Sequence, residues 1–306
     1  MSYAQGSRSG LVYVVESSFG VTPSTPTMIR LPFSTHSLNL TRSRQQGTDI
    51  LPDRIPRVDR HGVQQAVGDI AAQFRPADYD ALLESAFFDS FGTSGADSLI
   101  IGTTPQFMSI EDQAVDISEY RVFRGMAVSQ FSLNVQPDAI PQATFSLVGR
   151  GMSAPASTTA ATATTAESGE EPFDAFSGSI SENGSAIAIV SSLQFSLNNS
   201  LGSAHAIGSR DAAELEFGRA EVEGSVSVYY EDSTFIEAFL AEEERSLQLV
   251  LDNTVSGETY TFDFPRIKYN DAAVPVADPQ SRIVQLPFVA LFDESESTNI
   301  KLTRGA

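Results

Sequence analysis

Few side chains in this sequence have the types and spacing that catalysis or metal binding requires. The three histidines, His36, His61 and His205, have no metal-ligand spacing, and there is no cysteine. No GxSxG, GxGxxG or phosphate-loop motif occurs. The acidic runs at 242–244 and 293–296 lack the alternation around a glycine that a calcium loop needs. We therefore expect no enzyme, no metal and no cofactor.

Arginine provides the most distinctive chemistry, and five of the arginines fall in one stretch. Residues 40–65, LTRSRQQGTDILPDRIPRVDRHGVQQ, hold five arginines against three aspartates in a chain of net charge −20. Arginine pairs well with carboxylates, and Ile50, Leu51, Ile55 and Val58 add apolar anchors. The stretch predicts a long basic loop at 41–65 that docks onto an acidic body, such as another copy of the chain; an incidentally charged, solvated loop is the alternative. The candidate contact residues are Arg42, Arg44, Arg54, Ile55, Arg57 and Arg60.

The composition limits the class of protein and its partners. With 306 residues and 41% hydrophobic content, the chain is long and apolar enough for two ordinary domains. Its acidity argues against gripping DNA by neutralising phosphates, although solubility alone is the simpler explanation of the charge. The apolar run LVYVV at 11–15 is too short for a signal core or a membrane span. We expect a protein made in the cytoplasm and not inserted in a membrane.

The chain divides at a segment of low complexity. Residues 153–168, SAPASTTAATATTAES, are almost entirely alanine, serine and threonine and have no apolar periodicity. This composition indicates a linker or a surface excursion. We place a linker at 151–172, between a first domain at 1–150 and a second at 173–306.

The two predicted domains repeat one pattern. Residues 64–74 and 220–231 alternate apolar and polar side chains, as in half-buried strands, and a shift of 156 residues aligns Gly68 with Gly224. An amphipathic helical pattern follows each strand, at 75–88 and 231–244, and paired strands end each half. We predict a mainly β fold with one short helix per domain. Two unrelated β-domains are the alternative.

The pentapeptide QFSLN occurs twice, at 130–134 and 194–198, but it does not mark this repeat. The shift that aligns the other elements places 196–198 near residue 38 and not on 132–134. We interpret the two copies as separate alternating strands with a similar composition.

Three stretches resemble tail tube proteins of long-tailed bacteriophages, here in a duplicated two-domain form. They are GLVYVVESSFGVTPSTPTMIRLPFSTHSLNLTRSRQ (10–45), VGDIAAQFRPADYDALLESAFF (67–88) and EPFDAFSGSISENGSAIAIVSSLQFSLNNSL (171–201). The resemblance covers most of the chain and implies β-sandwich domains whose strands join across subunits into a β-barrel around a lumen. Three two-domain copies would form a pseudo-hexameric ring, and stacked rings would form the channel for genome delivery.

The resemblance also implies a site, partners and a location. The polar strand faces would line a lumen through which double-stranded DNA passes without sticking, and the basic loop would join rings. Expected partners are further copies of the chain, the tape measure protein, the tail terminator and distal tail proteins, in a virion tail assembled in the bacterial cytoplasm. The alternative functions are an acidic β-sandwich adhesion module and an enzyme on a β-scaffold. The lumen candidates are Gln65, Asp69, Glu221, Glu223 and Ser225.

Overall fold

A computed structural model describes residues 3–50, 52, 53, 55, 57–92, 97–187, 190–276 and 281–305. Its first half contains one helix, α1 (Asp80–Phe87), and a short 3-10 turn at Gly6–Arg8. The strands of this half are β1 (Ser9–Val15), β2 (Thr27–Arg30), β3 (Thr35–His36), β4 (Asn39–Gln46), β5 (Asp59–Gln73), β6 (Asp97–Ile100), β7 (Met108–Ala114), β8 (Glu119–Val135) and β9 (Gln142–Gly149).

The second half again contains one helix among its described residues, α2 (Thr234–Leu240). Its strands are β10 (Gly151–Met152), β11 (Ala163–Thr165), β12 (Ser179–Glu182), β13 (Ser185–Ala186), β14 (Val190–Asn198), β15 (Gly202–His205), β16 (Ala212–Glu216), β17 (Glu221–Tyr229), β18 (Arg245–Asp252), β19 (Thr259–Tyr269), β20 (Ile283–Ala290) and β21 (Lys301–Gly305). The predicted mainly β class is confirmed, and the described strands form no closed barrel within one chain.

The central strands alternate buried and exposed side chains, as the sequence predicts. On β5 the side chains of Ala66 and Ile70 are buried, whereas that of Asp69 is exposed. On β17 Val222 and Val226 are buried in the same way. Burying one face of each strand removes apolar surface from water and leaves the other face polar, which fixes the register of the sheet.

The two halves repeat one order of neighbouring strands. In the first half the antiparallel order is β1-β7-β8-β9-β5-β4, and in the second half it is β12-β18-β19-β20-β17-β14. Gly68 on β5 and Gly224 on β17 occupy equivalent positions. A Cβ atom at Gly68 would lie 2.6 Å from the Leu38 Cα, and one at Gly224 would lie 2.7 Å from the Gln194 carbonyl oxygen. Both strands therefore need glycine where a neighbouring backbone approaches closely.

Strand β8 joins the two halves into one sheet, because it pairs with β9 on one edge and with β14 on the other. The β8–β14 register places Gln130 opposite Asn198 and Ser132 opposite Ser196. The two QFSLN segments are therefore antiparallel partners of each other. Their phenylalanines and leucines face the core, and their polar residues face the opposite side.

Aromatic side chains fill the core beneath this junction. The Phe131 ring lies 5.9 Å from that of Phe195 and 6.2 Å from that of Phe262, measured between centroids. Phe74 and Phe173 join the same cluster at 5.5 Å from each other. Stacked, tilted and edge-on contacts at these distances add to the stabilisation that burial alone gives. Residues of both halves thus share one hydrophobic core.

The two helices differ in how closely they pack. On α1 the predicted apolar face is buried, and the Ser85 hydroxyl donates to the Gln106 carbonyl oxygen while it accepts from the Val128 backbone N–H. On α2 only Ala238 is buried, and Leu240 is 73% exposed. The predicted face of α2 therefore contacts the core only in part, through Phe235 and Phe239.

The segment predicted as a linker lies in extended form against the first half. Its strand β11 pairs in parallel with β2. Ahead of β11, the Thr159 hydroxyl and the Ala160 backbone N–H donate to the buried Glu111 carboxylate, each at 2.6 Å. After β11, the Ser168 backbone N–H donates to Asp78 at 2.7 Å. These bonds hold a polar segment in place although its side chains bury little apolar surface.

A partly buried polar cluster also ties the halves together at the start of α1. The Asp80 carboxylate accepts a hydrogen bond from the Tyr260 hydroxyl at 2.8 Å and forms an ion pair with Arg304. Arg304 also pairs with Asp97 and lies 3.7 Å from the centroid of the Phe91 ring. Burial raises the pKa of Asp80 to about 6, although the hydrogen bond from Tyr260 and the charge of Arg304 act in the opposite direction.

This raised pKa predicts a pH-dependent contribution to stability. Between pH 4 and 6 the folded chain keeps a proton on Asp80 that the unfolded chain releases. The stabilisation that comes from this protonated side chain is therefore complete at low pH and is lost as the pH rises through about 6. Asp80→Asn should gain up to about 3 kcal/mol in unfolding free energy relative to the parent between pH 4 and 7. Urea denaturation across this range measures the difference. The exposed Asp138→Asn is the control, and parallel pH curves for parent and Asp80→Asn would contradict the prediction.

Candidate assembly surfaces

One continuous polar face crosses both halves of the main sheet. It is formed by the outward residues of β5, β9, β8, β14 and β17, which the register aligns in rows. The three rows are Asp69–Ser146–Gln130–Asn198–Glu221, Ala71–Thr144–Ser132–Ser196–Glu223 and Gln73–Gln142–Asn134–Gln194–Ser225. We call these three rows the polar face. None of its residues is basic, so it offers nothing that would neutralise phosphates.

The polar face contains four of the five lumen candidates. Asp69, Glu221 and Glu223 are exposed on it, and Ser225 is half-buried. Asp69 and Glu221 lie at opposite ends of one row, separated by roughly 19 Å, or four strand spacings. This separation exceeds the Debye length in physiological salt, so the two carboxylates repel each other little.

Gln65, the fifth lumen candidate, lies beyond the polar face. It sits on the part of β5 that pairs with β4, and its side-chain amide donates to the Ser203 hydroxyl of β15 at 2.9 Å. Strands β15 and β16 form a separate two-stranded hairpin that packs there. The Gln64 backbone N–H donates to the Arg210 carbonyl oxygen at 2.8 Å in the same contact.

Apart from Ser225, the neutral members of the polar face were not among the predicted site residues. Ser132, Ser196 and Gln194 lie at its centre, together with Thr144 of β9. The available signal was the alternation within the two QFSLN segments, whose polar positions share one side. Sequence alone could not reveal that the two segments pair, because pairing between residues 60 positions apart leaves no local pattern.

The structure corrects the long loop predicted at 41–65, which is instead a β-hairpin arm made by β4 and the first part of β5. Arg42 donates to the Gln64 side-chain oxygen across the hairpin at 2.9 Å, and Arg44 pairs with Asp59 at 2.9 Å. The loop prediction was wrong because nearly all side chains of β4 are exposed, so the strand shows no apolar alternation.

The tip of the hairpin arm, residues 47–58, carries exposed apolar and charged groups. Ile50 is 99% exposed and Ile55 is 64% exposed. Arg57 pairs with Asp53 within the tip, and Arg60 is exposed at the start of β5. The predicted contact residue Arg54 lies outside the described residues. Exposed isoleucines on a projecting arm are typical of a surface that a partner covers.

The described residues provide no metal-binding arrangement. Within them, no three or more histidine, aspartate or glutamate side chains are grouped so that they could hold a metal ion. The described helices also include none that is long and apolar enough to cross a membrane.

The described residues thus form an extended β-sheet with a polar, non-basic face and a projecting hairpin arm. The family model of the phage tail tube protein matches residues 6–290. The chain therefore belongs to the phage tail tube protein family, as its sequence resemblance indicated. No curated protein matches the chain. Membership gives it a structural role in the virion tail, where copies assemble into a tube with other tail proteins.

Proposed function

We propose that three copies of the chain form a pseudo-hexameric ring, and that stacked rings form the tail tube of a siphophage and its channel for genome delivery. The observation that carries this proposal is the polar face, which runs unbroken across both halves and lacks basic residues. Closed around an axis, such sheets form a β-barrel whose lining lets double-stranded DNA slide without binding. We further infer contacts with the tape measure, tail terminator and distal tail proteins, and assembly in the host cytoplasm.

The hairpin arm is proposed to join one ring to the next. It projects exposed isoleucines and arginines from an acidic chain, and the acidic body of a neighbouring ring would complement its charge. Pairing of Arg44 with Asp59 and of Arg57 with Asp53 keeps the arm ordered without using up its apolar tip. Among the described residues, only the first half carries such a long arm, so we infer one arm per copy.

Electron microscopy of the purified protein tests the proposed function. At high concentration we expect hollow tubes or stacked rings with six lobes and the mass of three chains. Mass photometry of isolated rings measures the copy number independently of their appearance. Monomers at every concentration and ionic strength, with no rings even after addition of assembled tails, would contradict the proposal.

Charge reversal on the polar face should make the tube retain DNA. Glu221→Lys with Glu223→Lys places cations where the parent has exposed carboxylates, so we expect tubes that co-sediment with short double-stranded DNA in low salt and release it in high salt. The matched control is Glu231→Lys with Glu294→Lys, which changes two exposed glutamates outside the polar face. Equal retention by both variants would show that the polar face does not line the channel.

Changing exposed residues at the tip of the arm and at the start of β5 should stop assembly after the ring. Ile50→Ser with Arg60→Glu removes one exposed apolar side chain and reverses one charge, and we expect rings of normal mass but few or no tubes. The control is Ile207→Ser with Arg219→Glu, which makes the same changes at exposed positions of the second half. Tubes of parental length from the arm variant would exclude the arm from stacking.

A further inference from the structure

Two edges of the main sheet each resemble a partner in the β8–β14 junction. At one end, β4 pairs with β5, and no described strand occupies its other edge. At the other end, residues 271–276 follow β19 and touch β20 through the bridge between Ala273 and Gln285. No described strand lies on the outer edge of 271–276. The internal repeat allows these two edges to be compared with strands that are already paired.

Residues 271–276 are the second-half equivalent of 130–135 in β8. A shift of 141 residues carries the β8–β9 pair Val128–Leu147 onto the β19–β20 pair Tyr269–Phe288. The same shift carries the pair Ser132–Thr144 onto the bridge Ala273–Gln285, so it holds beyond the end of β19. The segment DAAVPV thus occupies the place that QFSLNV occupies in the first half.

Burial differs between these equivalent segments, because only one has a partner on its outer edge. Val135 is 7% exposed beside β14, whereas its equivalent Val276 is 73% exposed. Val274 packs only in part against the core, whereas its equivalent Leu133 is 1% exposed. Two apolar side chains therefore lie on the core side of an edge that no described strand covers, and at this edge the Arg282 guanidinium donates to the Val274 carbonyl oxygen at 3.0 Å.

Residues 36–41 are the first-half equivalent of 193–198 in β14. The pair Leu40–Ala66 of β4 and β5 corresponds to the pair Leu197–Val222 of β14 and β17. By this equivalence, 36–41 presents the same edge that β14 presents to β8. Its core-facing side chains include Leu38, which is 4% exposed, and its polar positions continue the polar face.

We propose that residues 271–276 of one copy pair antiparallel with residues 36–41 of the next, repeating between chains the β8–β14 pairing within the chain. The proposal rests on the proposed tube function and names the edges that close the ring. The equivalences predict the register Thr41–Asp271, Asn39–Ala273 and Leu38–Val274. Because the two edges differ, the contact runs head to tail, and it closes into a ring if the rotation between copies divides the circle.

The predicted register keeps each face of the sheet consistent. Val274 and Val276 would lie on the core side with Leu38, where burial would cover their apolar surface. Asp271 and Ala273 would lie on the other side with Asn39 and Thr41, so none of these four contact residues would be basic. The pairing would also occupy two exposed strand edges, which otherwise invite aggregation.

Engineered disulfides test the register in a chain that has no natural cysteine. Side chains directly opposite each other on paired strands have Cβ atoms about 5 Å apart, close enough to cross-link with small adjustments. Asn39→Cys with Ala273→Cys should give covalent dimers and trimers when assembled protein is oxidised. Ser132→Cys with Ser196→Cys, the equivalent pair within the chain, should cross-link in the monomer and controls for reactivity. Asn39→Cys with Asp271→Cys, two residues out of register, should cross-link far less.

A second pair of variants tests the edge without cross-linking. A lysine on the core side of an edge strand opposes pairing, so Val276→Lys should raise the concentration needed for assembly by about tenfold or more. Val255→Lys makes the same change at a valine that is 71% exposed in the turn between β18 and β19, and it should assemble like the parent. Thermal unfolding of both variants confirms that the monomer remains folded.

The outcomes separate this inference from the proposed tube. Cross-linked trimers in the predicted register, with assembly impaired by Val276→Lys, support the pairing. Tubes that form normally without 39–273 cross-links above the out-of-register control overturn the pairing and leave the tube function standing. Cross-linked rings that never stack support the pairing but contradict the tube. Monomers under all conditions contradict both.

Discussion

The antiparallel pairing of β8 with β14 is the contact on which the rest of the structure depends. It turns two repeated arrangements into one sheet, places Phe131 and Phe195 over a shared aromatic core and aligns the polar rows of both halves. Without this pairing, β8 and β14 would each have an open edge. The chain would then have two separate polar surfaces, one in each half. The partly buried cluster of Asp80, Tyr260 and Arg304 adds a second tie between the halves.

Local patterns predicted much of this fold. The alternation around Gly68 and Gly224 identified β5 and β17, and the apolar spacing at 75–88 and 231–244 identified both helices, because each pattern has the period of its element. Strand β4 escaped because its side chains face water on both sides. The role of the repeated QFSLN segments escaped because it depends on contacts between distant parts of the chain.

The sequence predicted polar strand faces at the candidate site but did not predict how far they extend across the sheet. Alternation assigned Asp69, Glu221 and Glu223 to polar strand faces, and the structure brings these faces onto one side of one sheet. The neutral rows between them come from serine, threonine, asparagine and glutamine, which carry no distinctive sequence signal. A face dominated by small hydroxyl and amide groups with a few carboxylates hydrates well and presents little for an anionic polymer to grip.

Joining two repeats in one chain changes how a ring would form. Within the chain, the partners of the β8–β14 contact are held at an effective concentration that separate subunits rarely reach, so this contact forms as the protein folds. In a ring of three chains, every second junction between repeats would be a β8–β14 pairing within one chain. These junctions would form before any two molecules meet. Because the two repeats are separate stretches of one chain, the sequence of each can change without changing the other. The first half has the long arm, whereas the second half has the short β15–β16 hairpin. This difference is an example of such independent change.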